Sequence, residues 1–289
     1  MIVLEAINLW KLFRTTIALK DVNLKLDKGL HLLLGPNGSG KTTLLKIWCG
    51  LLKPTRGKVF VKEKYIPWKQ RHIIMKFMGV LFEDNNIPWW ISGRDYLEFI
   101  AREKNIKWSE VVELAHCLNI TSYWSKSIRS YSSGMKKKII LLSALIGGNE
   151  ILILDEPYTL LDEAAVKELN KIIIEKKTEY EAILISSHVF TGIEEYIDSL
   201  TVLLNGKIVF HGELPELRKT EEILYECKVE NPLNLIDKLY REGIEEIEIR
   251  GNKVYFKSKQ KPEWIKQYEC KELIDVKKLY EEIISYERS

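Results

Sequence analysis

Residues 35–42 fit the pattern G-x-x-x-x-G-K-[ST] and open the run GPNGSGKTT. A loop of this kind turns successive backbone N–H groups inward. Gly35, Pro36, Asn37, Gly38, Ser39 and Gly40 then cradle phosphate oxygens at a helix N-terminus. Lys41 adds a point charge for β and γ phosphates, and the Thr42 hydroxyl is a ligand for Mg2+. Downstream, ILILDEP places Asp155 at the carboxyl end of an apolar strand, where it can hold Mg2+ directly or through water. Glu156 follows it, suited to polarise an attacking water as general base. His188, closing the apolar run of ISSH, should emerge on the same rim. There it can donate a hydrogen bond to a γ phosphate or hold the water and Glu156 in register. A further segment, SYSSGMKKK, lets Ser132 and Gly134 open a helix. Residue types alone leave that segment as either a solvated turn or the mouth of a second anion site.

These groups need strands and helices to position them, and the spacing predicts an alternation of the two. Strands are expected at Ile2 to Asn8, Val22 to Leu26, His31 to Leu34, Gly57 to Val61 and Phe77 to Phe82. The period then turns helical from about 88 to 147, with Ser92, Ser109 and Ser132 as N-caps, which reads as an inserted helical subdomain. After the ILILD strand, Ala164 to Lys177 is helical, Ala182 to Ser186 a strand, and Gly192 to Ile197 helical. Thr201 to Leu204 and Lys207 to Phe210 flank Asn205-Gly206, a hairpin signal. This is an α/β pattern with a mainly parallel sheet covered on both faces. Residues 1–215 form the main domain. Residues 220–289 read as a small α+β appendage: a strand at Glu222 to Val229, a helix at Leu233 to Arg241, a hairpin over Ile244 to Ser258 turning at Gly251-Asn252, and a helix at Asp275 to Tyr286.

A net charge of +3 is too mild to argue for nucleic acid, which calls for a concentrated basic face. No stretch approaches the ~18 apolar residues that span a bilayer, and the N-terminus lacks a leader pattern, so a cytoplasmic protein is expected. The four cysteines, Cys49, Cys117, Cys227 and Cys270, form no Cys-x-x-Cys pair. They are expected to be separate buried apolar groups in a reducing compartment. Lys136 to Lys138 are expected to be a solvated helix face. Abundant lysine, glutamate and isoleucine with little glutamine hint at a hot-living source.

In this order and spacing, GPNGSGKTT, YSSGM, ILILDEP and ISSH resemble the ATP-binding subunit of ATP-binding cassette (ABC) transporters, over roughly residues 1–215. The resemblance implies a P-loop ATPase, with ATP and Mg2+ as cofactors. Thr43 joins the phosphate loop, and Phe13 stacks on adenine. It implies a second ABC ATPase subunit as partner, paired head to tail around two ATPs. The loop Ser132, Ser133, Gly134 and Met135 then closes over the neighbour's γ phosphate, and Asp162 reaches across the dimer. It also implies a separate integral membrane permease and a peripheral place on the inner face of the cell membrane. Glu83 stands where the family usually has a glutamine that touches the metal and the lytic water. Ser133 stands for a glycine, which matters only if that position needs positive φ. The YSSGM form is similar to that of exporters of drugs and polysaccharides. In NNIPWW, Trp89 and Trp90 either meet the membrane subunit or pack the helical insert onto the sheet. Two other readings stay open: a soluble ABC ATPase acting on nucleic acid or ribosomes, and a regulatory module that binds nucleotide without turnover.

Overall fold

Two long strands, β1 (Leu4–Phe13) and β2 (Thr16–Leu26), open the chain and pair antiparallel. Both run past their expected ends because the ladder is bulged. Asn8 and Asp21 sit at positive φ (44° and 51°), the register shifts between Ala6 and Leu9, and the Asn8 Nδ2 donates to Asp21 Oδ1 at 3.1 Å. The bulge breaks the alternation by which a strand is read. The structure, a computed structural model, describes residues 1–82, 87–213, 223–244, 247–258, 262–273 and 276–288.

The next elements are β3 (Gly29–Leu34), α1 (Lys41–Trp48), β4 (Arg56–Val61), the short α2 (Arg71–Ile74) and β5 (Met78–Leu81). The helical insert follows as α3 (Gly93–Glu103), α4 (Trp108–Cys117) and α5 (Ser133–Leu145). Ser92 and Ser132 cap α3 and α5 as expected, accepting from the Asp95 and Met135 N–H groups. Ser109 caps nothing, since α4 has already begun at Trp108 with Lys107 before it. Then come β6 (Ile151–Asp155), α6 (Glu163–Lys176), β7 (Ala182–Ser187), β8 (Ser199–Leu204) and β9 (Lys207–Glu213). The helix expected over Gly192 to Ile197 is only a 3-10 turn at Ile193–Glu195. The Glu194 carboxylate accepts from the Thr191 and Gly192 N–H groups and folds the chain back on itself there.

The main sheet has the order β5-β6-β7-β3-β8-β9, with β5, β6, β7, β3 and β8 parallel. Every residue of β6, β7 and β8 is buried, the pattern of strands covered on both faces. Asn205 and Gly206, both at positive φ, make the β8–β9 turn. A second, three-stranded sheet has the order β2-β1-β4. The buried Trp48 of α1 reaches toward it, donating its indole N–H to Glu5 O at 3.1 Å.

The chain divides into two compact units, Met1–His211 and Gly212–Ser289. The second contains β10 (Ile223–Lys228), α7 (Pro232–Arg241), β11 (Ile247–Arg250), β12 (Lys253–Ser258), β13 (Glu269–Leu273) and α8 (Val276–Arg288). Its antiparallel sheet runs β11-β12-β10-β13. Its core gathers Tyr225, Leu235, Leu239, Val254, Phe256 and Trp264, with Tyr225 stacked on Phe256. Here the reading of the cysteines fails. Cys227 and Cys270 stand directly opposite each other on β10 and β13 and are joined by a disulfide. Closing a loop of this length stabilises a module by about 4 kcal/mol in the chain-entropy model, which matters for a core this small. Of the other two, Cys49 is buried and Cys117 exposed.

Candidate functional site

The phosphate-type loop starts where β3 ends and stops at the first residue of α1. Gly35 is forced by space: a Cβ there would lie 2.3 Å from Leu203 O and 2.7 Å from Ser39 Oγ. Gly40 is forced by conformation as well. At φ 108° it precedes α1 in a left-handed geometry, and its Cβ would meet Ala18 O at 2.5 Å. No side chain caps α1, so its N–H groups stay open to an anion.

Lys41 is 5% exposed, and its ammonium has three oxygen partners. It donates to Gly35 O at 2.6 Å and Pro36 O at 3.3 Å, and lies 3.1 Å from Glu156 Oε1. The other oxygen, Glu156 Oε2, is 2.8 Å from His188 Nδ1. Lys41, Glu156 and His188 thus form one chain of contacts. Glu156 sits at φ 47°, a left-handed conformation uncommon outside glycine, and its N–H donates to Ser186 Oγ at 3.0 Å.

Beside this chain the Thr42 hydroxyl donates to Asp155 Oδ2 at 2.7 Å, and Ser186 Oγ donates to Asp155 Oδ1 at 2.6 Å. Burial pushes the Asp155 carboxyl above its ordinary range, against the lowering effect of both hydroxyls. Thr42 and Asp155 bring together hard oxygen donors of the kind Mg2+ prefers. Among the described residues no cluster of three or more His, Cys, Asp or Glu is placed to hold a metal. The buried Ser39 hydroxyl has no hydrogen-bond partner, an orphaned donor inside the loop that a phosphate oxygen would satisfy. The loop therefore fits both a triphosphate and its metal. Ser186 was missed by sequence reasoning. Its signal lay in the ISSH segment, which β6–β7 pairing sets opposite Asp155.

The second helix mouth is built differently. Ser132 Oγ accepts from Met135 N at 3.2 Å, and Ser132 and Ser133 are exposed. Ser133 is not at positive φ, so serine in place of glycine carries no backbone strain there. A Cβ on Gly134 would come within 2.9 Å of Leu160 O. Tyr131 is buried and ties this loop to α3, accepting from Gly93 N at 3.2 Å and donating to Tyr123 O at 3.1 Å. Two of the lysines behind it, Lys137 and Lys138, are not on a solvated face. Lys137 is buried, and Lys138 extends to Asp162 Oδ2 at 3.1 Å. Asp162 also caps α6, accepting from Ala165 N, and the two contacts hold its carboxyl below the usual range.

Phe13 lies half exposed at the end of β1, with Lys11 Nζ 4.7 Å from its ring centre. Trp89 and Trp90 are 54% and 67% exposed and touch edge to face, so they do not pack the helical insert onto the sheet. Glu83 lies outside the described residues, as do Asn85 and Asn86. Among the described residues no helix is long and apolar enough to cross a membrane.

Comparison with known proteins agrees with this geometry. The family model described as ABC transporter matches residues 19–159. An uncharacterized ABC transporter ATP-binding protein of Alkalihalophilus pseudofirmus is 32% identical over 192 residues, covering 65% of this chain and 70% of that protein. The lantibiotic transport ATP-binding protein SrtF of Streptococcus pyogenes is 29% identical over 217 residues, covering 75% of this chain and 93% of that one. Among solved structures, a dimeric ATP-binding cassette in a post-hydrolysis state, bound to ADP and Pi, superposes with a TM-score of 0.64. It shares 20% sequence identity and covers 73% of this chain and 98% of its own, so it speaks for the fold alone. A phosphate loop closed on a buried lysine, a paired glutamate behind it and matching relatives along most of their length lead to one conclusion: the chain belongs to the ABC transporter family, as one of its ATP-binding, ATP-hydrolysing subunits.

Proposed function

We propose that two copies of this chain, or this chain and a close homologue, close head to tail around two MgATP. In this reading Gly35 to Gly40 and Thr43 surround the phosphates, and Phe13 offers its exposed ring to the adenine. Ser132, Ser133, Gly134 and Met135 bind the γ phosphate held by the partner, and Asp162 lines the junction. Lys41 turns from the Gly35 and Pro36 carbonyls to the phosphate oxygens. Glu156 takes the proton of the attacking water, and His188 keeps that carboxylate aimed. Thr42 and Asp155, with Glu83, would hold Mg2+, which when bound supplies positive charge to the β and γ oxygens. Most of the rate enhancement then comes from positioning and charge neutralisation.

The observation that carries the reading is the suspension of Glu156 between Lys41 Nζ and His188 Nδ1. A helper of membrane transport needs a membrane partner, and the exposed Trp89–Trp90 pair is apolar surface for a separate permease. The chain would thus sit on the cytoplasmic face of the membrane. A disulfide is compatible with that compartment in hyperthermophiles, in keeping with the lysine- and glutamate-rich composition. The YSSGM loop favours export, and nucleic acid is not an expected partner.

The Glu156→Gln protein tests this reading. Saturated with MgATP, it should form dimers by analytical ultracentrifugation while releasing no phosphate. A variant that stays monomeric, alone and with the permease, overturns it.

A further inference from the structure

The outer strand of the second unit, β11, reads Ile247-Glu248-Ile249-Arg250 and, among the described residues, has a neighbour, β12, on one side only. The register pairs Arg250 with Lys253 across the turn Gly251-Asn252, and Gly251 is at φ 63°. In a two-residue hairpin that closing pair exchanges its backbone hydrogen bonds, and the bonding alternates along the strand. Glu248 therefore also bonds inward, and Ile247 and Ile249 turn their N–H and C=O groups outward from the sheet. Ile249 is half exposed, and Glu248 and Arg250 are 60% and 66% exposed. Exposed edges of this kind are ordinarily protected by charged side chains, prolines, bulges or a covering element. Here the flanking charges are opposite in sign and stand symmetrically about Ile249.

That symmetry selects one partner. We infer that β11 is a self-association edge, onto which the β11 of a second copy of this chain adds antiparallel about a two-fold axis at Ile249. In this arrangement the two Ile249 residues exchange backbone hydrogen bonds and bury each other's side chains. Glu248 of each copy faces Arg250 of the other, directly opposite, where cross-strand charge pairs interact most strongly. The Glu248–Arg250 pair within one copy, 2.8 Å apart, becomes half of a ring of four alternating charges. A strand of another sequence would supply the hydrogen bonds but not the paired charges. The inference does not use nucleotide, and it goes beyond the ATP-driven closure proposed above.

The test places a thiol on the axis. Opposed residues of a hydrogen-bonded antiparallel pair have Cα atoms about 5.5 Å apart, within disulfide reach. The full-length chain carrying Ile249→Cys, in a Cys117→Ser background, is oxidised without nucleotide in the presence of EDTA. A covalent dimer should form rapidly. Adding Glu248→Arg, or Arg250→Glu, should slow it about tenfold by opposing like charges. Combining both should restore it. Absence of the dimer, equal rates in all four proteins, or failure of the double exchange to rescue overturns the inference. So does cross-linking in whole membranes that goes to a different polypeptide. The ATP-driven dimer is absent under these conditions, so either proposal can fail alone.

Discussion

Two helices of the first unit begin at loops suited to anions, and they begin in opposite ways. The mouth of α1 is uncapped, lined by Gly35 and Gly40, which cannot be replaced without collision, and filled by a buried lysine. The mouth of α5 is closed by its own Ser132 and lies exposed, with Lys137 buried and Lys138 turned away toward Asp162. The first is a complete phosphate cradle that needs only the ligand. The second satisfies itself in the monomer, and in the proposed dimer its hydroxyl and N–H groups would meet a charge brought by another surface. A helix N-terminus alone therefore does not make a binding site; what surrounds it decides.

The sharpest way to break the comparison is to disable one mouth at a time. Lys41→Ala and Ser132→Arg should each abolish ATPase activity alone. Mixed together, they should recover a clear fraction of it, because a mixed pair keeps one intact Lys41 facing one intact Ser132. Failure to recover activity, measured as phosphate release, would mean that the two mouths do not meet across a dimer. Next in size, Ser132→Ala should lower turnover by about 10-fold or more, the worth of one charge-assisted hydrogen bond. Its monomer should bind nucleotide as the parent does. Equal loss of affinity in the monomer would place both mouths on one phosphate.

A smaller effect reports on strain in the first mouth. Burial raises the folded-state pKa of Asp155 above its unfolded value. The folded chain thus binds the extra proton between those two values, and stability of the nucleotide-free protein rises as pH falls through that window. At neutral pH the buried charge is a cost. Asp155→Asn should therefore raise the melting temperature by a few degrees while removing metal-dependent turnover. The smallest effect belongs to the second mouth's support. Asp162 has a lowered pKa, so its contribution holds above the unfolded value and fades as pH falls through the folded one. Asp162→Asn should lower the melting temperature slightly at neutral pH, leave it unchanged in acid, and so flatten the acid limb of the melting curve.

How much of this was legible in the sequence depended on how local the chemistry was. The phosphate loop could be read because its parts are contiguous, and Asp155, Glu156 and His188 because each closes an apolar run. Ser186 could not, because its role comes from the register of β7 against β6. The same holds for Cys227 and Cys270, which are 43 residues apart and meet only because β13 returns beside β10. Lys138 looked solvated because helical period gives a face without saying what lies across from it, and Asp162 lies there. The strand limits expected at Asn8 and Val22 fall inside longer strands, since the bulge at Asn8 and Asp21 shifts the alternation by which strands are found.

The ion pair between Lys41 and Glu156 carries one more implication. The carboxylate is the lysine's counter-ion, and in the proposed cycle triphosphate oxygens would take its place. Arrival of the fuel and release of Glu156 toward water would then be a single exchange of partners.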